Sequence, residues 1–389
     1  MALKGQSITV TGAGVGGLAA AIALAQRGAE VTVLEQAEAI TEVGAGLQIS
    51  PNGLVVLDAL GLGQAVRAAG IRARSVVLKD YRRAGAVARL DLDQHAADLT
   101  YLFVHRAALI DILAAAAREA GVHVRLLQKV TSVTPGRPVR IEMATGAAMA
   151  ADLVVAADGL KSVARTALNG ADRPFFTGQV AWRALCRLPE GRAPEVHVHM
   201  APHRHLVSYP LVGDRLNLVA VQERAAWTAD GWTHTDSPAN LTNAFSDFSD
   251  DLRAVLEQVD AVHLWGLFRY PVATKWHAGG VVLLGDAAHP TLPFLAQGAN
   301  MALEDAWVLA DCLDRMAGSN ALEQYQARRS PRVRCVISAA NRNAWKYHLA
   351  FPPARWIGHL GLHLAGRVMP ARLVRQFDWL YRHDVTSDP

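Results

Sequence analysis

Three cysteines in 389 residues, Cys186, Cys312 and Cys335, are too few, too scattered and odd in number for a disulfide framework. There is no CxxC pair and no Cys/His spacing of the kind that holds zinc, so no metal is expected. Reduced thiols in a cytoplasmic protein are the expectation. Lysine and arginine form no block, and the net charge of +4 is dispersed, which argues against a nucleic-acid partner. Outside the opening segment no run approaches about 18 uninterrupted apolar residues, so stable membrane insertion is not expected. Internal repeats, low-complexity tracts and long linkers are missing as well.

What is present is apolar material for a large core: 51% of residues are hydrophobic and 19% charged. The length suggests two or so domains. One stretch is ambiguous. Ile8–Gln26 carries no charge and follows Lys4, as a signal peptide would. Gly12, Gly14, Gly16 and Gly17 break the helix that such a segment needs. The sequence also runs on into Val31-Thr32-Val33-Leu34-Glu35, which reads as a strand ending in an acid.

Residues 7–11 read as a buried strand, 15–27 as a helix stopped by Gly28, and 30–34 as a second strand: a βαβ unit of a parallel sheet. A short helix is expected at 54–60, a hairpin over 72–92, a helix at 106–120 and strands at 122–127 and 151–159. Residues 179–188, 195–200, 206–211 and 215–222 read as an antiparallel sheet, 240–259 as one helix and 263–272 as a strand. A parallel-sheet strand returns at 281–285, followed by a helix from about Gly298 to Met316. The fold class is α/β. A Rossmann-like domain occupies 1–71, 98–175 and 273–345, and a β-rich substrate domain 72–97 and 176–272. A helical C-terminal segment follows at 346–389.

Three motifs carry chemistry. In Gly12-Ala13-Gly14-Val15-Gly16-Gly17, Gly12 permits the tight turn, Gly14 lets backbone approach a pyrophosphate, and Gly17 allows close helix–strand contact. The helix start then offers N–H groups and a positive dipole end to phosphate. Glu35 ends the next strand, where a carboxylate accepts from ribose hydroxyls and repels a 2′-phosphate, so NADP is not the ligand here. The second motif is Asp158-Gly159, an acid at a strand end. The third runs from Gly285 to Ala306: Asp286 ends a strand where it could hold a ribityl hydroxyl, and Gly298, Ala299 and Asn300 open a helix with small residues whose dipole favours negative charge.

In this order and spacing the motifs resemble the single-component FAD-dependent aromatic hydroxylases, the class of p-hydroxybenzoate hydroxylase. The nearer branch holds the salicylate, 3-hydroxybenzoate and hydroxynicotinate hydroxylases. The stretch Val43–Asn52, His105-Arg106 and Ala181-Trp182-Arg183 add to the likeness, which covers about residues 5 to 345.

The resemblance implies tight, non-covalent FAD. The glycine motif would hold its pyrophosphate, and Glu35 would bind the adenosine ribose. Gln36, Gln48, Arg106 and Gln128 would also touch the cofactor. Asp158 would serve FAD and the pyridine nucleotide together, Asp286 the flavin side, and Pro293, Gly298, Ala299 and Asn300 the isoalloxazine ring. NADH or NADPH would visit transiently. O2 would add at flavin C4a, and the resulting hydroperoxide would hydroxylate a phenolic or hydroxylated heteroaromatic ring. Such a ring needs a base. On a strand, residues 205, 207 and 209 share a face, and histidine titrates near neutrality. The resemblance makes His205 that base and Tyr209 its orienting hydrogen-bonder. Phe294, Leu295 and Gln297 would line the substrate pocket. Arg183 would pair a substrate carboxylate or form an interdomain salt bridge.

A quinone precursor or polycyclic substrate, or FAD binding without hydroxylation, are the alternatives. The C-terminal stretch with Lys346, Arg355, Trp356, Arg367, Arg372 and Arg375 is expected to pack across the FAD domain or form a homodimer contact, rather than to bind membranes.

Overall fold

The computed structural model describes residues 3–40, 45–83, 85–171, 173–227, 234–316 and 318–387, with backbone alone at 343–346. Val43 and Gly44 of the stretch Val43–Asn52 therefore lie outside the described residues, as does the side chain of Lys346.

Short, mostly buried apolar strands build the first sheet. The strand Ser7–Thr11 lies parallel between Leu153–Ala156 and Glu30–Leu34. Val281–Leu283 and His123–Arg125 extend it in parallel on either side. Near-continuous Val/Ile/Leu strands of this kind need cover on both faces. The alanine-rich helix Val15–Ala25 supplies part of it, buried over nearly its whole length, and lies against the helix Gly298–Arg315. Gly16 permits that approach, since a Cβ there would meet Leu284 at 2.7 Å and Ala302 at 3.0 Å.

The second large sheet has eight strands. Phe175–Arg187 is its long spine, paired antiparallel with Arg215–Glu223 on one side and Val262–Arg269 on the other. Arg204–Leu211 and Glu195–Ala201 continue it. The expected antiparallel pattern is broken at one place: Glu195–Ala201 pairs in parallel with Ser75–Asp80. The hairpin Ser75–Asp80/Ala86–Asp91 thus belongs to this sheet, although about a hundred residues separate the two pieces in sequence.

The expected helix over 240–259 is two helices, Pro238–Ala244 and Asp250–Leu256. Phe245 and Phe248 turn into the core between them, and Arg204 donates to the Ala244 carbonyl at 2.5 Å. The helix expected from Leu54 begins at Pro51, a residue suited to a first helical position. A three-stranded meander, Val130–Thr134, Val139–Met143 and Ala148–Ala151, was not expected from the sequence.

Of the two arrangements expected for the C-terminal segment, packing across the FAD domain is largely not the one observed. The segment's helices Pro352–Val368 and Pro370–Arg375 lie against the hairpin strand Ala86–Asp91, on the β-rich sheet. Only its end reaches back, where Arg332 donates to the Leu380 carbonyl at 3.1 Å. No helix among the described residues is long and apolar enough to cross a membrane.

Candidate active site

The glycine turn is tight on its protein side. Gly12 adopts φ +96°, and a Cβ there would meet the Ala157 carbonyl oxygen at 2.5 Å. A Cβ on Gly17 would collide with the Gly12 carbonyl. At Gly14 a Cβ would meet nothing within 4 Å. That open side faces a cleft of about 330 Å³ which Gly14, Val15 and Gly16 line. The first N–H groups of the helix Val15–Ala25 carry no side-chain cap. Glu35 steadies the turn: its carboxylate accepts from Ala13 N at 2.7 Å and Ala37 N at 2.9 Å. Gln128 is its neighbour, donating from its backbone N–H to the Glu35 carbonyl at 2.7 Å. Gln36 is exposed beside it.

The far end of the cleft is built from the other two motifs. Arg106 opens the helix Arg106–Glu119 and lines the wall, as do Gln48 and Gly159. Asp286 turns its accessible surface into the cleft, and desolvation there raises its carboxyl above the ordinary value. Gly298 and Ala299 line the cleft at the start of the helix Gly298–Arg315, which has no side-chain cap and no acid in its first turn. Asp158 stands behind Gly159. Its Oδ2 accepts from Val163 N at 3.0 Å, while Oδ1 is buried and unpartnered among the described residues. An open glycine cradle, two uncapped helix starts and an orphaned acceptor fit a dinucleotide running from the first helix to the second.

A second cavity of about 300 Å³ adjoins the first. Gln48, His205, Val207, Pro293, Phe294 and Ala296 line both. Ala296 holds φ +53°, a left-handed conformation uncommon outside glycine, in the bend between Pro293–Leu295 and the helix. The rest of the second cavity is largely apolar, with Leu78, Leu90, Leu92, Val198 and Met200 from the sheet, Leu362, Leu373 and Val374 from the C-terminal helices, and the rings of Tyr347, Phe377 and Tyr381. Those helices are its lid. Tyr101 and Gln48 form a polar pair on its wall, the phenol donating to Oε1 at 2.6 Å.

His205 and Tyr209 both face the cleft, as the strand register requires, but only His205 also reaches the second cavity. Its environment overturns the titration argument. Burial, with His348 alongside, drives its imidazole well below the ordinary histidine range. Its Nδ1 sits 2.7 Å from His348 Nε2. Tyr209 is buried against Phe103, with ring centroids 5.1 Å apart, and burial lifts its hydroxyl to about 12. Phe294 lies over His205 with centroids 6.1 Å apart, and Leu295 lines the second cavity.

Arg183 stands on the cleft side, its guanidinium 5.3 Å from the Trp265 ring centroid. Two residues expected at the ligand turn their side chains away from both cavities. Gln297 is 1% exposed, its amide spent on Asn52 at 3.1 Å and Ser50 at 2.9 Å, so it is not on the pocket wall. Asn300 is wholly buried and clamps backbone, accepting from Ser50 N and donating to the Gln48 and Ala296 carbonyls. An amide in a buried position satisfies itself on the nearest backbone groups.

Behind both stands a buried charge cluster that the motif reading passed over. Arg329 pairs Glu304 and Asp305 at 2.7 Å each, and His289 pairs Asp305 at 2.5 Å. Burial opposes ionisation of Asp305, but His289 and Arg329 outweigh it and hold the carboxyl down to about 2. His348 and Glu223 were also missed: His348 meets His205 from 143 residues away, Glu223 at the end of the next strand meets His348, and no local pattern marks them.

The comparisons agree with this geometry. The family described as FAD binding domain matches residues 6–340. A 3-amino-4-hydroxybenzoate 2-monooxygenase of Streptomyces cremeus is 37% identical over 361 residues, 89% of each chain. A 6-hydroxynicotinate 3-monooxygenase of Pseudomonas fluorescens is 32% identical, covering 87% of this chain and 91% of its own. Among solved structures, HpxO of Klebsiella pneumoniae with FAD and uric acid superposes with a TM-score of 0.85 at 24% identity, over 95% of this chain and 96% of that one. The chain belongs to the FAD-binding-domain family and is an FAD-dependent aromatic monooxygenase.

Proposed function

We propose that the substrate is a phenol whose ring sits at the junction of the two cavities and whose remaining body is apolar. One observation carries the reading: His205 lines both the cleft of the flavin motifs and the largely apolar second cavity. FAD, once reduced by NAD(P)H, supplies the activation of O2. The chain's residues do the rest. Gln48, Pro293 and Phe294 fix the ring plane at the junction, and Leu78, Leu90 and Met200 keep water away from it. With Nδ1 engaged by His348, His205 has Nε2 for the phenolic proton. Removing that proton raises the electron density of the ring, which electrophilic hydroxylation requires.

The largely apolar wall favours a neutral ring. A second reading rests on the relatives, whose names are those of enzymes acting on aromatic acids. In it, Arg183 on the cleft wall takes a substrate carboxylate. One panel separates the two. FAD-loaded protein is mixed with NADH or NADPH and either alkylphenols and naphthols or hydroxybenzoates and 6-hydroxynicotinate. Reductant oxidation and product mass are then followed. Stronger stimulation and coupled product with the neutral phenols support the first reading. A preference for the acids, abolished by Arg183→Gln, establishes the second and overturns the first.

A further inference from the structure

His205 is 3% exposed and lies at the cavity junction, where a proton taken from a ligand has no direct way out. A row of side chains leads from it to the surface. His205 Nδ1 lies 2.7 Å from Nε2 of His348, a residue of the short turn Trp345–His348. His348 Nδ1 lies 2.8 Å from Oε1 of Glu223, at the end of the strand Arg215–Glu223. The other carboxylate oxygen of Glu223 lies 2.6 Å from Nδ1 of His203. The side chains of His205 and His348 are buried, while Glu223 is 39% and His203 63% exposed. Three contacts of hydrogen-bond length thus connect the cavity to water.

The geometry is built in from several elements. His203 holds φ +61° in the two-residue turn between Glu195–Ala201 and Arg204–Leu211, and Glu223 N donates to its carbonyl at 2.9 Å. Strand pairing places His205 opposite Val221, two residues before Glu223. The C-terminal segment brings in His348, whose carbonyl accepts from His203 N at 3.3 Å. The groups facing the row are Tyr347, 5.4 Å from the His205 ring, and Gln179, 3.5 Å from His348 Nδ1.

We propose that His348 and Glu223 form a proton relay that carries the phenolic proton from His205 to solvent, a role that rests on the proposed aromatic substrate. In the resting arrangement His348 Nδ1–H donates to Glu223, and His205 Nδ1–H donates to His348 Nε2. His205 Nε2 is then a lone pair facing the ligand. The phenolic O–H bond breaks as His205 Nε2–H forms. The Nδ1 proton of His205 passes to His348 Nε2, and that of His348 passes to Glu223, which releases it to water. Phenolate and a solvent proton result, and neither imidazole retains an extra charge. The relay resolves a contradiction in the site. Burial makes His205 and His348 poor holders of a proton, so a lone histidine here would be a weak base. Within a row ending on a half-exposed carboxylate, the charge rests where water solvates it.

Two measurements on FAD-loaded protein test this. The first follows bound 4-nitrophenol by stopped-flow absorbance, with flavin perturbation reporting binding and the yellow anion reporting proton loss. Glu223→Gln and His348→Phe are expected to bind the probe as the wild type does but to form the anion about 100-fold more slowly. Added imidazole should restore the rate in His348→Ala. Anion formation at the wild-type rate in Glu223→Gln and His348→Phe overturns the relay.

The second needs no ligand, so a failure of the substrate reading leaves it intact. With 15N-labelled histidine, Glu223→Gln is expected to shift the ring nitrogens of both His348 and His205. A shift confined to His348 shows that the row is not connected and overturns the proposal. Glu223 is half exposed, so its isosteric replacement should leave the fold intact.

Discussion

Asn300 holds Ser50. Its Oδ1 accepts from the Ser50 backbone N–H at 3.0 Å, and its Nδ2 donates to the carbonyls of Gln48 and Ala296 at 3.0 and 2.9 Å. One side chain thereby ties the strand Gly46–Ile49, the bend at Ala296 and the helix Gly298–Arg315 into a single wall shared by both cavities. Asn300→Ala should leave buried backbone groups without partners and cost about 2 kcal/mol of stability by urea titration. Bound FAD should be released more readily, read as recovered flavin fluorescence on dilution. Unchanged stability with weakened FAD would instead make Asn300 a direct cofactor ligand.

The two glycines at the phosphate turn should separate folding from binding. A Cβ at Gly14 meets no protein atom, whereas one at Gly17 runs into the Gly12 carbonyl. Gly14→Val should therefore leave the apoprotein within about 1 kcal/mol of wild type, yet lose FAD in a titration. Gly17→Ala should destabilise the apoprotein itself. If Gly14→Val binds FAD normally, the cofactor does not approach the turn from the open side.

The same turn shows what the sequence made legible. A glycine pattern, a strand before it and an acid after it are local features, and backbone sterics make them interpretable without the rest of the chain. The strand face shared by His205 and Tyr209 was legible for the same reason. The side-chain directions of Gln297 and Asn300 were not legible, because a polar residue near a ligand motif reads alike whether it faces ligand or backbone. Only the chain segment at Ser50, some 250 residues away, decides between them. His348 and the titration of His205 were illegible on the same ground. Both depend on which distant side chains close over a buried ring, and periodicity carries no trace of that. The parallel pairing of Ser75–Asp80 with Glu195–Ala201 likewise belongs to topology, not to either strand.

Asp305 anchors the third motif from behind. It accepts from Gly285 N at 3.0 Å and pairs His289 and Arg329, all of them buried. Asp305→Asn should cost about 3 kcal/mol, because it weakens a buried ion cluster on one side only. The pH dependence has a definite sign. The folded carboxyl is held down at about 2, below its unfolded value, so its contribution is complete above that unfolded value. It is lost as pH falls towards about 2. Urea titrations between about pH 4 and pH 2 should show a steeper loss in the wild type than in Asp305→Asn. Equal slopes would mean that Asp305 is not ionised in the cluster.

His199 carries the same sign into a higher pH window. It lies on the strand Glu195–Ala201, 2% exposed, and burial pushes its imidazole down to about 3. Lys79, His197 and Arg192 add to the effect, and the carboxylate of Asp251 is too weak to reverse it. Below the ordinary histidine value the unfolded chain therefore takes up a proton that the folded chain refuses. Stability must rise with pH across this window and fall as pH drops, by about 1.4 kcal/mol per pH unit for each such histidine. His197, held at about 4, contributes in the upper part of the same window. His199→Gln removes one titrating group while keeping a polar side chain on that face. Its stability, measured by urea titration from about pH 7 to pH 5, should fall less steeply than that of the wild type, by about 1.4 kcal/mol per pH unit near pH 5. An unchanged slope would show that His199 is protonated within the fold.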